Sequence, residues 1–311
     1  MLTKVIDLYQ QGVPGSGSPK KSRCNSASLR YVHVSGKQTM INKSIRSALK
    51  SLRPACDRLV GALGFKQSDL RIQKDALSFW EKHTASNFGV NSHWRGHGIF
   101  ENDDERWLSL GQRHVGIFKR LSSTAATPFS TAPSILEWGC GGGSNAVAFA
   151  KTSSQFIAVD ISKKSVDECL RQMELLGLKN GIGVVADIHC PEGVLKEVDP
   201  VDVVLCTYVF ECLPTRTYAL RLVRMFHEVL KPGGLAIVQI RYATARVSTR
   251  GRSWGYKLGF SKMVSFFLDD FWGACTQAGF KPRCIELVPI DESVFDERYA
   301  YFLLEKPAWP L

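Results

Sequence analysis

From residue 134 onward, short apolar runs alternate with stretches in which apolar residues recur at helical spacing. This alternation is typical of a doubly wound parallel sheet with helices on both faces. It predicts an α/β fold with a mostly parallel, seven-stranded sheet that an antiparallel pair closes. The predicted strands are residues 134–138, 155–159, 184–188, 201–206, 235–240, 284–288 and 299–304, and the clearest predicted helices begin at 144, 220 and 266.

The chain before this sheet divides into two predicted regions. Residues 1–65 form a basic extension, in which residues 13–39 are rich in Gly, Ser and Lys and show no apolar period, so we expect disorder there. Near 41–53 the apolar residues share one helical face, which predicts a short amphipathic helix. Residues 66–130 are predicted to be a helical cap or lid, and residues 131–311 are predicted to be the main domain.

Charge is concentrated in the extension. The chain carries a formal net charge of +11. Residues 1–58 hold eleven Lys or Arg against two Asp, which gives +9, so the remaining residues carry only +2. A nearly neutral domain lacks the electrostatic footprint of a nucleic-acid-binding protein, which makes nucleic acid an unlikely partner.

The amphipathic helix suits either packing on its own domain or peripheral contact with an anionic membrane. No apolar run approaches the length of a membrane span. The acid-poor start is compatible with an organellar targeting peptide or with a start codon assigned too early. The nine cysteines are odd in number and never spaced as CxxC, and we interpret them as reduced thiols of a cytoplasmic protein.

A glycine-rich turn follows the first predicted strand and leads directly into a helix. Gly139, Gly141 and Gly143 lie in this turn, and glycine suits it because the backbone angles are unusual and a side chain would hold a ligand away from the main chain. The second strand ends at Asp160, 21 residues after Gly139, where an acid can accept hydrogen bonds from ribose hydroxyls. This strand, turn and helix predict a Rossmann-like nucleotide site.

The spacing Glu137-x-Gly139-x-Gly141-x-Gly143 resembles the first motif of class I S-adenosylmethionine-dependent methyltransferases. An acid at Glu137 suits the ammonium group of S-adenosylmethionine and would repel the phosphates of a dinucleotide. The resemblance extends from about residue 134 to 305 and includes the Lys231-Pro-Gly-Gly turn before the fifth strand. It implies an S-adenosylmethionine-binding methyltransferase domain that has S-adenosylmethionine as its cofactor.

The resemblance also implies a set of cofactor-binding positions. Asp187 is expected to accept a bond from the adenine amino group, and Ile188 is expected to pack on the ring. Cys206 ends the fourth strand, which runs toward the methyl-transfer site. The full predicted set is Glu137, Gly139, Cys140, Gly141, Gly143, Asp160, Ile161, Asp187, Ile188 and Cys206.

A general base is optional in methyl transfer, because the sulfonium methyl is already activated. If the acceptor is a hydroxyl, the candidate catalytic residues are Glu211 and Tyr208, just beyond the fourth strand, and His114, from the helix before the sheet. The alternative for Glu211 is a solvated or helix-capping acid. His93 and His97 lack a third ligand, and the nearby glycines argue against a helix, so no metal site is predicted.

The acceptor is predicted to be a small molecule or a glycan or lipid precursor, methylated at O or N. Trp80, His83, Trp94 and Trp107 are candidates for a lid over it, with ordinary packing as the alternative. The stretch from Arg246 to Lys257 is basic and aromatic, which suits an acceptor bearing carboxylate or phosphate.

Three other functions fit parts of this pattern. The same cofactor can serve non-methyl chemistry, such as transfer or cyclisation of its aminocarboxypropyl arm, which would release methylthioadenosine. A noncatalytic S-adenosylmethionine-binding subunit would bind the cofactor without turnover. A nicotinamide oxidoreductase would bind NAD in the same glycine loop, and competition between the two cofactors would reveal it.

Overall fold

The structure is a computed structural model, and it describes residues 67–81, 93–127, 130–258, 262–292, 294 and 296–308. The described residues belong to one compact unit. The predicted extension and its helix near 41–53 lie outside the described residues.

A seven-stranded sheet forms the centre of this unit. Its strand order is β3-β2-β1-β4-β5-β7-β6. The first five strands in chain order are parallel, and β7 inserts antiparallel between β5 and β6. The strands are β1 (Ser134–Trp138), β2 (Gln155–Asp160), β3 (Gly181–Val185), β4 (Val201–Cys206), β5 (Leu230–Arg241), β6 (Lys281–Asp291) and β7 (Asp296–Glu305). The predicted α/β class and its antiparallel closure are confirmed.

Six helices flank the sheet within the described ranges. They are α1 (Asp69–Trp80), α2 (Asp104–Thr124), α3 (Ser144–Phe149), α4 (Lys163–Leu175), α5 (Arg216–Val229) and α6 (Leu268–Gln277). Side chains of β1 alternate between two buried clusters, with Ile135 among residues of α2, α3 and α4, and Leu136 among residues of α1, α5 and α6. This alternation follows from the two-residue period of a strand.

Side chains before the helices fix where several of them begin. Asp103 accepts a bond from the N–H of Arg106 at 3.0 Å, and Thr215 accepts one from Tyr218 at 3.1 Å. Such caps satisfy N–H groups that have no partner inside the helix.

Several strand boundaries differ from the prediction. β6 extends beyond the predicted 284–288 at both ends, and β7 begins at Asp296 instead of residue 299. β3 ends at Val185, so Asp187 and Ile188 follow the strand instead of lying in it. Gly183 lies so close to Val166 and Leu170 of α4 that a side chain at this position would clash with them, which accounts for a glycine in this edge strand. β5 begins at Leu230 and includes the Lys231-Pro-Gly-Gly turn, which was predicted to precede the strand. At this turn the pairing of β5 with β4 shifts register.

Candidate functional site

A cleft opens where the chain leaves the carboxyl ends of β1, β2 and β4. Here the strand order reverses, since β1 lies between β2 and β4, and ligands of open α/β sheets bind at such switch points. The cleft encloses about 1050 Å³ when its open mouth is included.

The glycine loop forms the floor of this cleft. Gly139, Gly141 and Gly143 have positive φ angles of 80°, 50° and 88°, which only glycine adopts without strain. The N–H groups of Gly139 and Cys140 both donate to the carbonyl of Val159, at 2.7 and 3.0 Å, and tie the loop to β2.

The segment before α2 lies directly on this loop. A Cβ atom added to Gly142 would lie 2.7 Å from both the carbonyl oxygen of His93 and the Cα of Trp94. Two backbones therefore meet here at a distance that excludes any side chain. The loop is covered by chain from the predicted cap.

Asp160 closes the glycine loop from the end of β2. Its carboxylate accepts bonds from the N–H of Gly141 at 3.2 Å and from the N–H of Ser162 at 2.9 Å, and it remains on the cleft wall. Burial raises the pKa of Asp160 to about 6, against these stabilising backbone donors. The carboxylate is thus mostly ionised at neutral pH.

Glu137 lies deeper in the cleft, on β1. Its Oε1 accepts a bond of 2.6 Å from Nδ2 of Asn145, while its Oε2 is buried without a partner among the described residues. Burial raises the pKa of Glu137 to about 8. A buried carboxylate oxygen that lacks a donor is a natural contact for a ligand cation.

Seven of the ten predicted cofactor positions lie on the cleft wall, and these are Glu137, Gly139, Cys140, Gly141, Asp160, Ile161 and Ile188. Three others do not line it. Gly143 packs against Cys169, Cys206 is fully buried at the end of β4, and Asp187 accepts a bond from the N–H of His189 at 2.8 Å.

Sequence reasoning did not single out Asn145 and Thr207, although both line the cleft. Nδ2 of Asn145 donates to Thr207 Oγ1 at 3.0 Å as well as to Glu137. Asn145 follows Gly143 by two residues and directly precedes the apolar run 146–150. A polar residue at this position was the signal that the sequence offered.

Tyr208 and His114 lie side by side on the wall, with ring centroids 5.4 Å apart. Tyr208 has a positive φ of 56°, its N–H donates to Gln239, and its hydroxyl donates to Asp291 at 2.6 Å. Asp291 is fully buried and forms an ion pair with Arg113 at 2.5 Å. Hydrogen bonds therefore fix both the main chain and the hydroxyl of Tyr208.

Both ring nitrogens of His114 have partners. Nδ1 lies 2.7 Å from Oδ1 of Asn145, and Nε2 lies 3.1 Å from the hydroxyl of Tyr301. Burial lowers the pKa of His114 to about 4, so the imidazole is neutral.

Glu211 is buried just outside the cleft wall. Its Oε1 accepts a bond of 3.2 Å from the hydroxyl of Tyr299, and its main-chain carbonyl accepts bonds from Met263 and Val264. Burial raises the pKa of Glu211 to about 7. The structure thus brings Tyr208 and His114 to the cleft and places Glu211 behind it.

Aromatic side chains form the opposite end of the cleft. Trp80 of α1 donates from Nε1 to the hydroxyl of Tyr256 at 2.8 Å, and Tyr256 donates in turn to the carbonyl of Cys212. Tyr218 also lines this end, with a buried hydroxyl that has no partner among the described residues. Trp80 and Tyr256 bring the predicted cap and the long connection after β5 together.

The remaining predicted lid residues have different positions. Trp107 is fully buried and donates from Nε1 to the carbonyl of His93 at 3.1 Å, while Trp94 lies over Gly142. His83 lies outside the described residues. The basic side chains of Arg246, Arg250 and Arg252 are absent from the described cleft wall.

The fold and the glycine-loop cleft define a class I S-adenosylmethionine-dependent methyltransferase. Residues 109–285, more than half of the chain, match a family model described as a methyltransferase domain. The chain therefore belongs to this methyltransferase-domain family.

Curated relatives match over a shorter region. The ubiquinone biosynthesis O-methyltransferases of two Xylella fastidiosa strains, M23 and Temecula1, are each 32% identical over 123 residues. That segment is 39% of this chain and 44% of each relative, so the match spans less than half the length of those proteins.

Solved structures with similar folds cover more of the chain. The N-methyltransferase NodS from Bradyrhizobium japonicum, in complex with S-adenosyl-L-homocysteine, is 13% identical with a TM-score of 0.49 over 76% of this chain and 98% of its own. An S-adenosylmethionine-dependent methyltransferase from Clostridium acetobutylicum is 12% identical with a TM-score of 0.47, over 66% of this chain and 92% of its own.

No group of three or more His, Cys, Asp or Glu side chains among the described residues is arranged to hold a metal ion. None of the described helices is both long and apolar enough to cross a bilayer.

Proposed function

We propose that this enzyme methylates an oxygen atom of a small, largely uncharged acceptor that enters the cleft beside S-adenosylmethionine. The composition of the cleft wall carries this proposal. Among the described residues that line it, the acidic and basic side chains are Glu137 and Asp160, apart from the neutral His93 and His114. Arg246, Arg250 and Arg252 of the connection after β5 do not line it, so an anionic acceptor would find no counter-charge among the described residues of the wall.

The two carboxylates suit the cofactor. The unpartnered Oε2 of Glu137 would accept a bond from the cofactor's ammonium group, and Asp160 would accept bonds from the ribose hydroxyls. Ile161 and Ile188 would pack on the adenine ring. With both acids assigned to the cofactor, the aromatic and apolar remainder of the wall is left for the acceptor.

S-adenosylmethionine supplies an activated methyl group when bound. The tasks of the protein are then to align the acceptor and exclude water. Tyr208 suits the first task because hydrogen bonds fix both its main chain and its hydroxyl. Trp80 and Tyr256 suit the second, since they form an aromatic wall that their own hydrogen bonds hold closed.

Transfer to oxygen is favoured over nitrogen by the curated relatives, whose name specifies O-methylation in ubiquinone biosynthesis. That support extends only to the matched 123 residues. The acceptor class therefore needs a direct test.

Thermal unfolding with S-adenosylmethionine, S-adenosylhomocysteine or NAD tests the cofactor site first. A ligand at ~100 times its dissociation constant adds ~2.7 kcal/mol to the free energy of unfolding, which corresponds to roughly 5–10 °C. We expect this shift with both adenosyl compounds, a smaller one in Asp160→Ala, and none with NAD.

An acceptor screen by product mass follows. We expect uncharged hydroxylated compounds to gain a methyl group and their carboxylated analogues to react poorly. Preferred methylation of the carboxylated analogues would contradict the proposed acceptor class. Release of methylthioadenosine would indicate non-methyl chemistry.

A further inference from the structure

A continuous series of hydrogen bonds crosses the core beneath the cleft, and we refer to it as the buried hydrogen-bond chain. Each side chain that carries it is at most 7% exposed. Both of its ends lie on the cleft wall. Its members, in order, are Glu137, Asn145, His114, Tyr301, Gln239 and the backbone N–H of Tyr208.

The direction of the bonds is fixed at the Glu137 end. Nδ2 of Asn145 lies 2.6 Å from Oε1 of Glu137 and donates to it, both when Glu137 is ionised and when its proton is on Oε2. The amide oxygen of Asn145 then faces His114, and Nδ1 of His114 must carry a proton to donate to it at 2.7 Å. When His114 is neutral and its proton is on Nδ1, Nε2 is unprotonated and accepts a hydrogen bond.

The direction is fixed equally at the Tyr208 end. A backbone N–H can only donate, so Gln239 presents Oε1 to Tyr208 and its NH₂ group to the hydroxyl of Tyr301, at 3.1 Å. Tyr301 accepts this bond and keeps its own proton to donate to Nε2 of His114, at 3.1 Å. The donor that Tyr301 presents therefore meets the acceptor at Nε2 of His114, so the directions deduced from the two ends agree.

We propose that the buried hydrogen-bond chain positions two groups of the cleft wall together, namely the Glu137 carboxylate that meets the cofactor and the Tyr208 main chain beside the acceptor. His114 is then a neutral positioning residue and not a general base. The proposal rests on the proposed function, because it assumes that Glu137 contacts S-adenosylmethionine. It makes the placement of Tyr208 sensitive to occupancy of the cofactor site.

The residues around the buried hydrogen-bond chain favour a fixed arrangement over proton exchange. Asp160 faces Glu137 from β2, and Arg113 and Asp291 face His114 from α2 and β6. Thr207 gives the NH₂ group of Asn145 a second acceptor, at 3.0 Å, so the amide is unable to rotate without losing bonds. Tyr208 adopts a positive φ of 56°, and such a conformation persists only where contacts hold it.

Two variants test the positioning role of the buried hydrogen-bond chain. Tyr301→Phe removes one hydroxyl from the middle of the buried hydrogen-bond chain, and with it the contact of this hydroxyl with the Tyr208 side chain. His114→Gln retains one donor and one acceptor at spacings close to those of the imidazole, but it is unable to accept a catalytic proton. His227→Gln is the matched control, since His227 packs against Phe280, away from the cleft.

Two measurements on the full chain are needed, the affinity for S-adenosylhomocysteine by calorimetry and the amide NMR signal of Tyr208 during the same titration. We expect Tyr301→Phe to bind about tenfold more weakly, because it loses bonds that orient a charged group, and to lose most of the Tyr208 response. His114→Gln should stay within about threefold of the wild type and keep that response, as should His227→Gln.

Wild-type affinity and a wild-type Tyr208 response in Tyr301→Phe would overturn the proposal. So would a His114→Gln variant as impaired as Tyr301→Phe, because a positioning role needs only the donor and the acceptor. Failure of the wild-type chain to bind S-adenosylhomocysteine would instead show that the proposed function itself is wrong.

Discussion

At the residue scale, the most informative group is the Glu137 carboxylate. Its Oε2 is buried without a partner in the described structure, and its pKa is raised from an ordinary value of 4.5 to about 8. The folded chain therefore holds a proton that the unfolded chain releases between these two values. As the pH rises from about 4.5 to about 8, this group makes the unliganded fold progressively less stable.

Binding of an ammonium group should reverse this effect, because the cation favours the ionised carboxylate. At pH 7 we expect S-adenosylhomocysteine binding to release close to one proton, and the affinity to rise with pH up to about 8. Calorimetry in buffers with different ionisation enthalpies measures the release. Glu137→Gln is the control and should release almost none, and an unchanged release in that variant would assign the proton to another group.

Gly142 gives a second prediction at this scale. A methyl group there would lie 2.7 Å from the backbone of both His93 and Trp94, so we expect Gly142→Ala to cost about 1–3 kcal/mol and to displace the covering segment. Gly193→Ala is the matched control, since nothing lies within 4 Å of its added methyl. Equal unfolding temperatures for the two variants would contradict the packing described here.

At the element scale, α1 and the connection between β5 and α6 join through Tyr256. This side chain is fully buried, accepts a bond from Trp80 and donates one to Cys212. The spacing of apolar residues predicted helices and strands well because burial repeats with their periods. It was unable to predict this junction, which joins residues 176 positions apart.

Tyr256→Phe should destabilise the enzyme by about 1–3 kcal/mol, because two buried groups lose their partner. Tyr218→Phe should have little effect on stability, since the hydroxyl of Tyr218 has no partner to lose in the described structure. Chemical denaturation compares the two, and hydrogen exchange in α1 should rise only in Tyr256→Phe. A larger loss in Tyr218→Phe would be inconsistent with the observed contacts.

At the scale of the whole molecule, the basic charge and the residues of the candidate site lie in different parts of the sequence. The sequence places +9 of the +11 net charge in residues 1–58, while the cleft wall carries two acids. The glycine loop and Asp160 were predictable because their spacing is local. Asn145, Tyr301 and Gln239 were not, because their roles arise from contacts between distant parts of the chain.

Removal of residues 1–58 should abolish most of the attraction to polyanions. We expect the full chain to elute from immobilised heparin at clearly higher salt than residues 59–311, because the remaining net charge is only +2. Residues 59–311 should bind S-adenosylhomocysteine with unchanged affinity. Similar elution of the two proteins would place a basic surface on the domain itself.

The insertion of β7 between β5 and β6 has a consequence for biosynthesis. Residue 301 lies in an interior strand that pairs with β5 through seven residue pairs, and its hydroxyl completes the bonding of His114, 187 positions earlier. A nascent chain on the ribosome therefore holds an open sheet edge and an incomplete cofactor pocket until residue 305 has left the exit tunnel. Completion of the sheet should therefore wait for the emergence of β7, and S-adenosylmethionine should fail to stabilise ribosome-bound fragments that end before β7.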